Sequence, residues 1–319
     1  MDAPAFHDMD GLIWYDGALV DWRAAKLHVL THALHYASSV FEGERVYGGT
    51  IFKLREHTER LFNSAGILGF EIPYSVEDID AACIEACEAN GIVDGYVRPV
   101  AWRGSEKMGV SAQNAFIHVA IAVWPWPSYF SPESRDKGIS LKTSVWRRPP
   151  PDTAPVQAKA AGLYMICTMS KHEAEAAGCD DALMLDWKGR VAEGTGANIF
   201  VMFGDGKIVT PPPECFLNGI TRQTVMELAQ NRGYEVIERH IEPEELSQAE
   251  EIFVTGTAAE VTPVGRIDGM HFSVGPITKI LRADYEALVG APIRKPPVRK
   301  AKTAPSARLK VRMAWPSTG

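Results

Sequence analysis

Two stretches near the start of the chain set mainly apolar residues on either side of a tight-turn pair, the signal of a hairpin. In LIWYDGALV the turn falls on Asp16-Gly17, and in RVYGGTIFKL on Gly48-Gly49. Both pairs tolerate the left-handed backbone that a two-residue hairpin requires. A helical period takes over next: Leu61, Ala65 and Leu68 predict a helix from about Glu56 to Leu68. A second helix is predicted from Ser75, with Asp78 in the capping-box position, to a stop at Gly91. GYVRPVAWRG and FIHVAIAVWPW then read as strands, so the first part predicts an α+β domain over residues 1–127. Pro127 to Asp136, with two prolines and three serines, signals a linker, taken as residues 128–138. Beyond it ISLKTSVW predicts a strand, and a helix closes at Gly178. Hairpins are predicted at Lys188-Gly189 and Asp205-Gly206, and a helix from about Thr221 to Asn231. EIFVTG is a further strand, and the last helix runs from about Pro276 to Leu288. Residues 139–289 are therefore a second mixed domain, and the fold class is α/β in the α+β sense.

Length and composition narrow the class of protein. The chain has 319 residues, enough for two cores, with 46% hydrophobic and 23% charged residues, as in ordinary globular chains. No apolar run reaches the length of a membrane span. Cys83, Cys87, Cys167, Cys179 and Cys215 are an odd, scattered set that reads as buried thiols in a reducing compartment, so a cytoplasmic location is expected. The net charge is −7, but residues 290–319 carry eight basic residues and no acid, which leaves −15 for the body. An acidic body argues against a nucleic-acid enzyme. The Pro-rich basic tail lacks apolar periodicity and reads as disordered.

The candidate chemistry centres on PVQAKAAGLY. Lys159 stands among Ala158, Ala160, Ala161 and Gly162, with Tyr164 five residues on. Burial disfavours an ammonium, so a lysine in such a setting can act as a neutral amine that condenses with a carbonyl group. Alone the pattern fits equally well a lysine at the edge of an element. Glu193 follows in a Gly-rich bend, EGTG. Two segments are suited to an anion: Asn218-Gly219-Ile220-Thr221-Arg222 opens a helix, and Thr255-Gly256-Thr257-Ala258-Ala259 leaves a strand into a turn of small residues. His28, His32 and His35 are spaced like metal ligands but have no partnering acid motif, so they read as packing histidines and no metal is expected. EGTG is not a dinucleotide fingerprint.

Taken together, HALHYASSVFEG (32–43), REHTERL (55–61), YVRP (96–99), MGV (108–110), PW (125–126), AKAAGLY (158–164), EGTGANIF (193–200), NGITR (218–222) and GTAAEVTPV (256–264) resemble the fold-type IV pyridoxal-phosphate aminotransferases, most closely the branched-chain amino-acid aminotransferases. The resemblance runs from about Leu12 to Leu288. It implies a small N-terminal α/β domain and a larger C-terminal domain built as a hairpin-rich pseudo-barrel. It also implies pyridoxal 5'-phosphate as cofactor, a homodimer or higher homo-oligomer, and no nucleic-acid or membrane partner.

The same resemblance implies roles for residues. Lys159 would hold the cofactor covalently and move the substrate proton. Glu193 would face the pyridine nitrogen and Tyr164 the ring hydroxyl. Arg60, the N–H groups of Ile220 and Thr221, and Thr257 would hold the phosphate. Tyr96, with the N–H groups of Thr257 and Ala258, would take the α-carboxylate. Arg98, helped by Tyr36 and Tyr129, would take the distal carboxylate of glutamate or 2-oxoglutarate. Phe41, Val110, Trp126, Tyr164 and Ala258 would wall a pocket for Leu, Ile and Val. The implied reaction is a ping-pong transfer of the amino group from these L-amino acids to 2-oxoglutarate. Same-scaffold alternatives are a D-amino-acid or amine aminotransferase and aminodeoxychorismate lyase; a remote one is a non-catalytic binding protein. Ala161, Leu163, Glu44, Arg103 and Lys107 depart from the family pattern, and Glu44 and Arg103 lie in segments that could border the pocket.

Overall fold

The computed structural model describes residues 5–126 and 132–290. They fall into two compact units. The first holds the N-terminal part together with the short segment Ala158–Gly162; the second holds the rest of the described chain.

The first unit is an antiparallel sheet backed by two helices. Its elements are β1 (Leu12–Tyr15), β2 (Ala18–Asp21), α1 (His32–Tyr36), β3 (Ser39–Phe41), β4 (Glu44–Tyr47), β5 (Thr50–Ile51), α2 (Leu54–Ile67), α3 (Val76–Ala89), β6 (Gly95–Arg103) and β7 (Ile117–Pro125). The strand order is β2-β1-β7-β6-β4-β5, with β3 also on β6. Asp16-Gly17 and Gly48-Gly49 turn their hairpins with positive φ at both positions. Ser75 and Asp78 cap α3 reciprocally.

Alternation assigns the faces of this sheet. Val40, Val46, Val97, Ala101, Val119, Ile121 and Val123 point into a core completed by Leu61 and Ala65 of α2 and by Ile79, Ala82, Cys83 and Ala86 of α3. A fully buried side chain of this size is worth about 1.5–3 kcal/mol, so this face sets the register. The opposite face of β4 and β6 presents Arg45, Tyr47, Tyr96 and Arg98. Pro99, which has no N–H to give, sits where β6 changes partners from β4 (at 95–97) to β3 (at 100–102). There the irregular Glu42 donates its own N–H to the Pro99 carbonyl at 2.8 Å.

The second unit contains α4 (Pro132–Lys137), β8 (Ile139–Arg147), α5 (Tyr164–Ala176), β9 (Asp181–Leu185), β10 (Val191–Gly194), β11 (Asn198–Phe203), β12 (Ile208–Thr210), α6 (Ile220–Asn231), β13 (Val236–Glu238), β14 (Ala249–Gly256), β15 (Glu260–Ile267), β16 (Met270–His271) and α7 (Pro276–Gly290). Its strands run β10-β9-β8-β15-β14-β11, and a further β10–β11 pairing closes these six into a ring, the pseudo-barrel that the resemblance implies. β8 is parallel to both of its neighbours in the ring, β9 and β15. Ile139, Leu141, Leu183, Ile199, Val201, Val254 and Val264 fill the core. Of the segment read as a linker, 132–137 is the helix α4, and 128–131 lies outside the described residues, as does the basic tail from 291 on. No helix among the described residues is long and apolar enough to cross a membrane.

Candidate active site

In the first unit the chemistry gathers around α2. Lys159 is half-buried between the buried Ala158 and Ala160. Its backbone is held at both ends: its N–H donates to Ser64 Oγ on α2 at 2.9 Å, and its carbonyl accepts from the Phe41 N–H at 3.1 Å. Ala160 bridges to Val40, so the lysine segment is an extra strand-like edge on β3. The Lys159 Nζ lies 5.2 Å from the centroid of the Phe41 ring.

One turn before Ser64, Arg60 is clamped. Its Nε donates to Glu42 Oε1 at 2.6 Å and its Nη2 to Glu42 Oε2 at 2.8 Å. Glu42 has no exposed surface and also accepts from His57 Nδ1 at 2.7 Å. Burial works against the Glu42 charge, but Arg60 and His57 hold its carboxyl well below the usual range. Desolvation in turn pushes the buried His57 down. The guanidinium edge carrying Nε and Nη2 is thus turned towards Glu42.

Tyr96 is buried, and its hydroxyl rests against Gly43. A Cβ at that glycine would stand 1.9 Å from the oxygen, so the bend after Glu42 has to be glycine for the phenol to lie where it does. Arg98 lies over the Phe41 ring at 4.8 Å and the Tyr96 ring at 5.4 Å, and its buried Nε has no hydrogen-bond partner among the described residues. Trp126 packs on Tyr96 at 5.6 Å. Tyr36 and Val110 are exposed, at 42% and 86%. Tyr129 lies outside the described residues. Glu44 does not border this face: its side chain is fully buried on the core side of β4. Arg103 donates to the carbonyls of Ala112 and Gly69 and so ties loops together. The three histidines are hydrogen-bonded: His32 to Ser38 and the Gly109 carbonyl, His35 to the Val29 carbonyl, His28 to the Leu30 N–H.

The second unit carries the other group of residues. Glu193 is 9% exposed at the end of β10, just after a register shift between Val191 and Glu193. The buried Arg148 places its Nε 3.3 Å from Glu193 Oε1. The same guanidinium contacts the Cys215 carbonyl and Cys167 Sγ. Tyr164 opens α5. Gly219 precedes α6, whose first-turn N–H groups, on Ile220 and Thr221, have no partner within the helix, and no side chain caps this end. Arg222 is buried, and it braces the segment by donating to Asn218 Oδ1 at 2.8 Å and to the Pro211 carbonyl at 3.1 Å. Thr257 and Ala258 form the turn after β14. Gly256 lets that turn approach the Glu193 bend: a Cβ there would be 3.1 Å from the Gly196 carbonyl oxygen.

Five residues of these clusters escape sequence reasoning: Glu42, His57, Arg148, Asn198 and Arg222. Glu42, His57 and Arg148 have no distinguishing spacing, and Asn198 stands beside apolar residues in GANIF. Arg222 could have been found from its place in NGITR, where an arginine at a helix start runs against the dipole and so needs a reason.

Taken unit by unit, the groups suit parts of a phosphorylated aldehyde with a basic ring nitrogen: the lysine lies in the first unit, the carboxylate and the helix start in the second. An amine-bearing lysine is held by its backbone, a buried carboxylate is already compensated by an arginine, and an uncapped helix start is kept open by glycine.

A family model described as amino-transferase class IV matches residues 39–267. The chain is 45% identical over 289 residues to the branched-chain-amino-acid aminotransferase of Pseudomonas aeruginosa, covering 88% of this chain and 94% of that one. Against the T.th. branched-chain amino acid aminotransferase solved with pyridoxamine 5'-phosphate, the TM-score is 0.85 at 43% identity, covering 88% and 94% of the two chains. Against the branched-chain aminotransferase of Thermoproteus uzoniensis with norvaline it is 0.84 at 40% identity, covering 88% and 95%. These matches span nearly every element described above, and the chain belongs to the class IV amino-transferase family.

Proposed function

We propose that this protein transfers the amino group of the branched-chain L-amino acids leucine, isoleucine and valine to 2-oxoglutarate, with pyridoxal 5'-phosphate as cofactor, in two alternating half-reactions. When bound, the cofactor supplies an aldehyde for the amino group and a protonated ring that withdraws electrons from the substrate Cα. Lys159 would hold the cofactor by its aldehyde and would hold and move the proton at the substrate Cα. Glu193 would hold the ring nitrogen, and the Arg148 guanidinium compensates its charge in a buried place. Tyr164 hydrogen-bonds the ring hydroxyl. Arg60, the N–H groups of Ile220 and Thr221, and Thr257 take the phosphate, with Glu42 fixing the rotamer of Arg60.

For the substrates, Tyr96 and the N–H groups of Thr257 and Ala258 take the α-carboxylate, while Phe41, Val110 and Trp126 contribute apolar surface. Arg98 takes the distal carboxylate of the acidic substrates, with Tyr36 and Tyr129. Its buried, unpartnered Nε supports that role, since such a donor is costly unless a ligand satisfies it. The exposure of Tyr36 and Val110 supports a homodimer in which these side chains serve the second copy. The location is cytoplasmic.

The observation that carries this reading is Lys159, fixed by both of its backbone groups to the helix that bears Arg60 and to the strand that bears Phe41. Borohydride reduction of the holoenzyme followed by peptide mapping should place the cofactor on Lys159. A donor panel should then rank L-leucine, L-isoleucine and L-valine above D-alanine and a chiral amine, with 2-oxoglutarate as acceptor. An adduct elsewhere refutes the site, and failure with L-leucine refutes the substrate.

A further inference from the structure

Within the second unit, one buried amide touches the two segments assigned to opposite ends of the cofactor. Asn198 is 5% exposed and begins β11. It pairs across the ring with Glu193 on one side and with Thr255 on the other. Its Nδ2 donates to the Leu217 carbonyl at 3.1 Å and to Glu193 Oε2 at 3.4 Å. Its Oδ1 lies against Gly219: a Cβ on that glycine would stand 2.2 Å from the oxygen. Leu217 and Gly219 are the residues that lead α6 to its open N-terminus, and Thr255 leads to the Gly256-Thr257 turn.

We infer that Asn198 is a positioning residue that sets the spacing between the Glu193 carboxylate and the anion-holding start of α6, so that the ring nitrogen and the phosphate of one cofactor are met together. The inference rests on the roles proposed above for Glu193, Ile220 and Thr221. The physical argument is one of shared donors. Both N–H groups of one rigid side chain are committed, one to the carbonyl two residues before Gly219 and one to the carboxylate. The carboxylate therefore cannot move relative to the helix start without breaking a buried hydrogen bond. The bare Cα of Gly219 is what allows the amide to lie close enough to make both contacts.

The test uses full-length protein resolved of its cofactor and titrated with pyridoxal 5'-phosphate and, separately, with pyridoxal, which lacks the phosphate. Asn198→Ala should weaken pyridoxal 5'-phosphate by roughly tenfold, the equivalent of one buried hydrogen bond. It should also narrow the affinity ratio between the two ligands and move the pH midpoint of the bound cofactor's visible absorbance. Asn198→Asp, which keeps the shape but turns both donors into an acceptor beside Glu193, should move that midpoint further. Gly219→Ala alters only the α6 side, yet it should move the same midpoint because the added methyl displaces Asn198. A merely structural role would lower the melting temperature and leave ratio and midpoint at their wild-type values, and that result overturns the inference. If neither Asn198 variant folds, Gly219→Ala decides alone by the same criterion. Glu193→Gln serves as the control: a midpoint unmoved by it overturns the role of Glu193 itself, whereas a midpoint moved by it but by none of the other variants overturns only the role of Asn198.

Discussion

Glu44 offers a test of the packing argument that is separate from catalysis. Its carboxyl has no exposed surface, and neither oxygen has a hydrogen-bond partner among the described residues. Burial, and after it the negative charges of Glu42 and Asp80, raise its pKa well above the ordinary range. The folded protein therefore keeps a proton that the unfolded chain gives up near pH 4.3. The sign follows from that difference. This stability is fully present below the unfolded pKa, falls by about 1.4 kcal/mol for each pH unit above it, and levels off once pH passes the folded pKa. Even neutral, a buried carboxyl without partners costs about 1–3 kcal/mol. Glu44→Ile, close in volume and on the core side of a strand, should then stabilise the protein by at least that amount at pH 5. The gain should be larger at pH 8, read at roughly 2–4 °C in melting temperature per kcal/mol for a chain of this size. Transaminase activity should be unchanged, since Glu44 faces away from Tyr96 and Arg98. The assay is thermal melting of wild type, Glu44→Ile and Glu44→Gln from pH 5 to pH 9. A gain that does not grow with pH, or a variant that melts earlier than wild type, would refute the assignment of a protonated, unpaired acid.

Glu42, two residues earlier, should behave in the opposite sense: its folded pKa is depressed, so its contribution is present above about pH 4.3 and disappears as acid is added. Glu42→Gln should cost about 3–5 kcal/mol by leaving Arg60 and His57 without their buried anion, read as a lower urea midpoint, and should weaken cofactor binding as well. His118 is raised by its hydrogen bond to Asp16 and by Glu106; its contribution is full below about pH 6.5 and is lost as pH rises through the folded value. Asp16→Asn should therefore flatten the alkaline side of the melting profile. Arg98→Gln should raise KM for glutamate and 2-oxoglutarate by roughly ten- to a hundredfold, the worth of a charge-assisted bond, while kcat/KM for L-leucine changes by less than about threefold. Equal losses for both donors would remove the distal-carboxylate role from Arg98.

What can be read from sequence alone follows a physical division. Local chemistry specifies hairpins and caps, so Asp16-Gly17, Gly48-Gly49 and the Ser75–Asp78 box all stand where their residue types require. The closure of the second unit's ring is legible only through the family resemblance. It depends on β10 meeting β11 through Glu193 and Asn198, a pairing with no periodic signature. β8 and β15, a parallel pair, come together from residues more than a hundred positions apart, and nothing near either strand announces the other. The helix α1 in HALHY leaves no sequence signal because it is a five-residue turn ended by Ala37 in the left-handed region, where glycine or asparagine would have marked the stop.

The same division separates the reacting groups from the residues that hold them. Lys159, Glu193 and the α6 start stand in segments of small residues, because a ligand or a second backbone must come close there, and small residues are conspicuous in a sequence. Their supports need no such setting. Glu42 reaches Arg60 across 18 positions, Ser64 reaches the Lys159 backbone across 95, and Arg148 meets Glu193 from the segment just after β8. Each is a polar side chain made indispensable by burial, and burial is a property of the fold rather than of the neighbouring residues. A glutamate such as Glu42, in the stretch FEGER (41–45), becomes the anchor of an arginine only once β3, β4 and α2 have enclosed it. Glu44, two positions on and enclosed by the same core, acquires no hydrogen-bond partner among the described residues. Two acids in one pentapeptide thus titrate in opposite directions, and the difference lies wholly in which donors the fold brings to each.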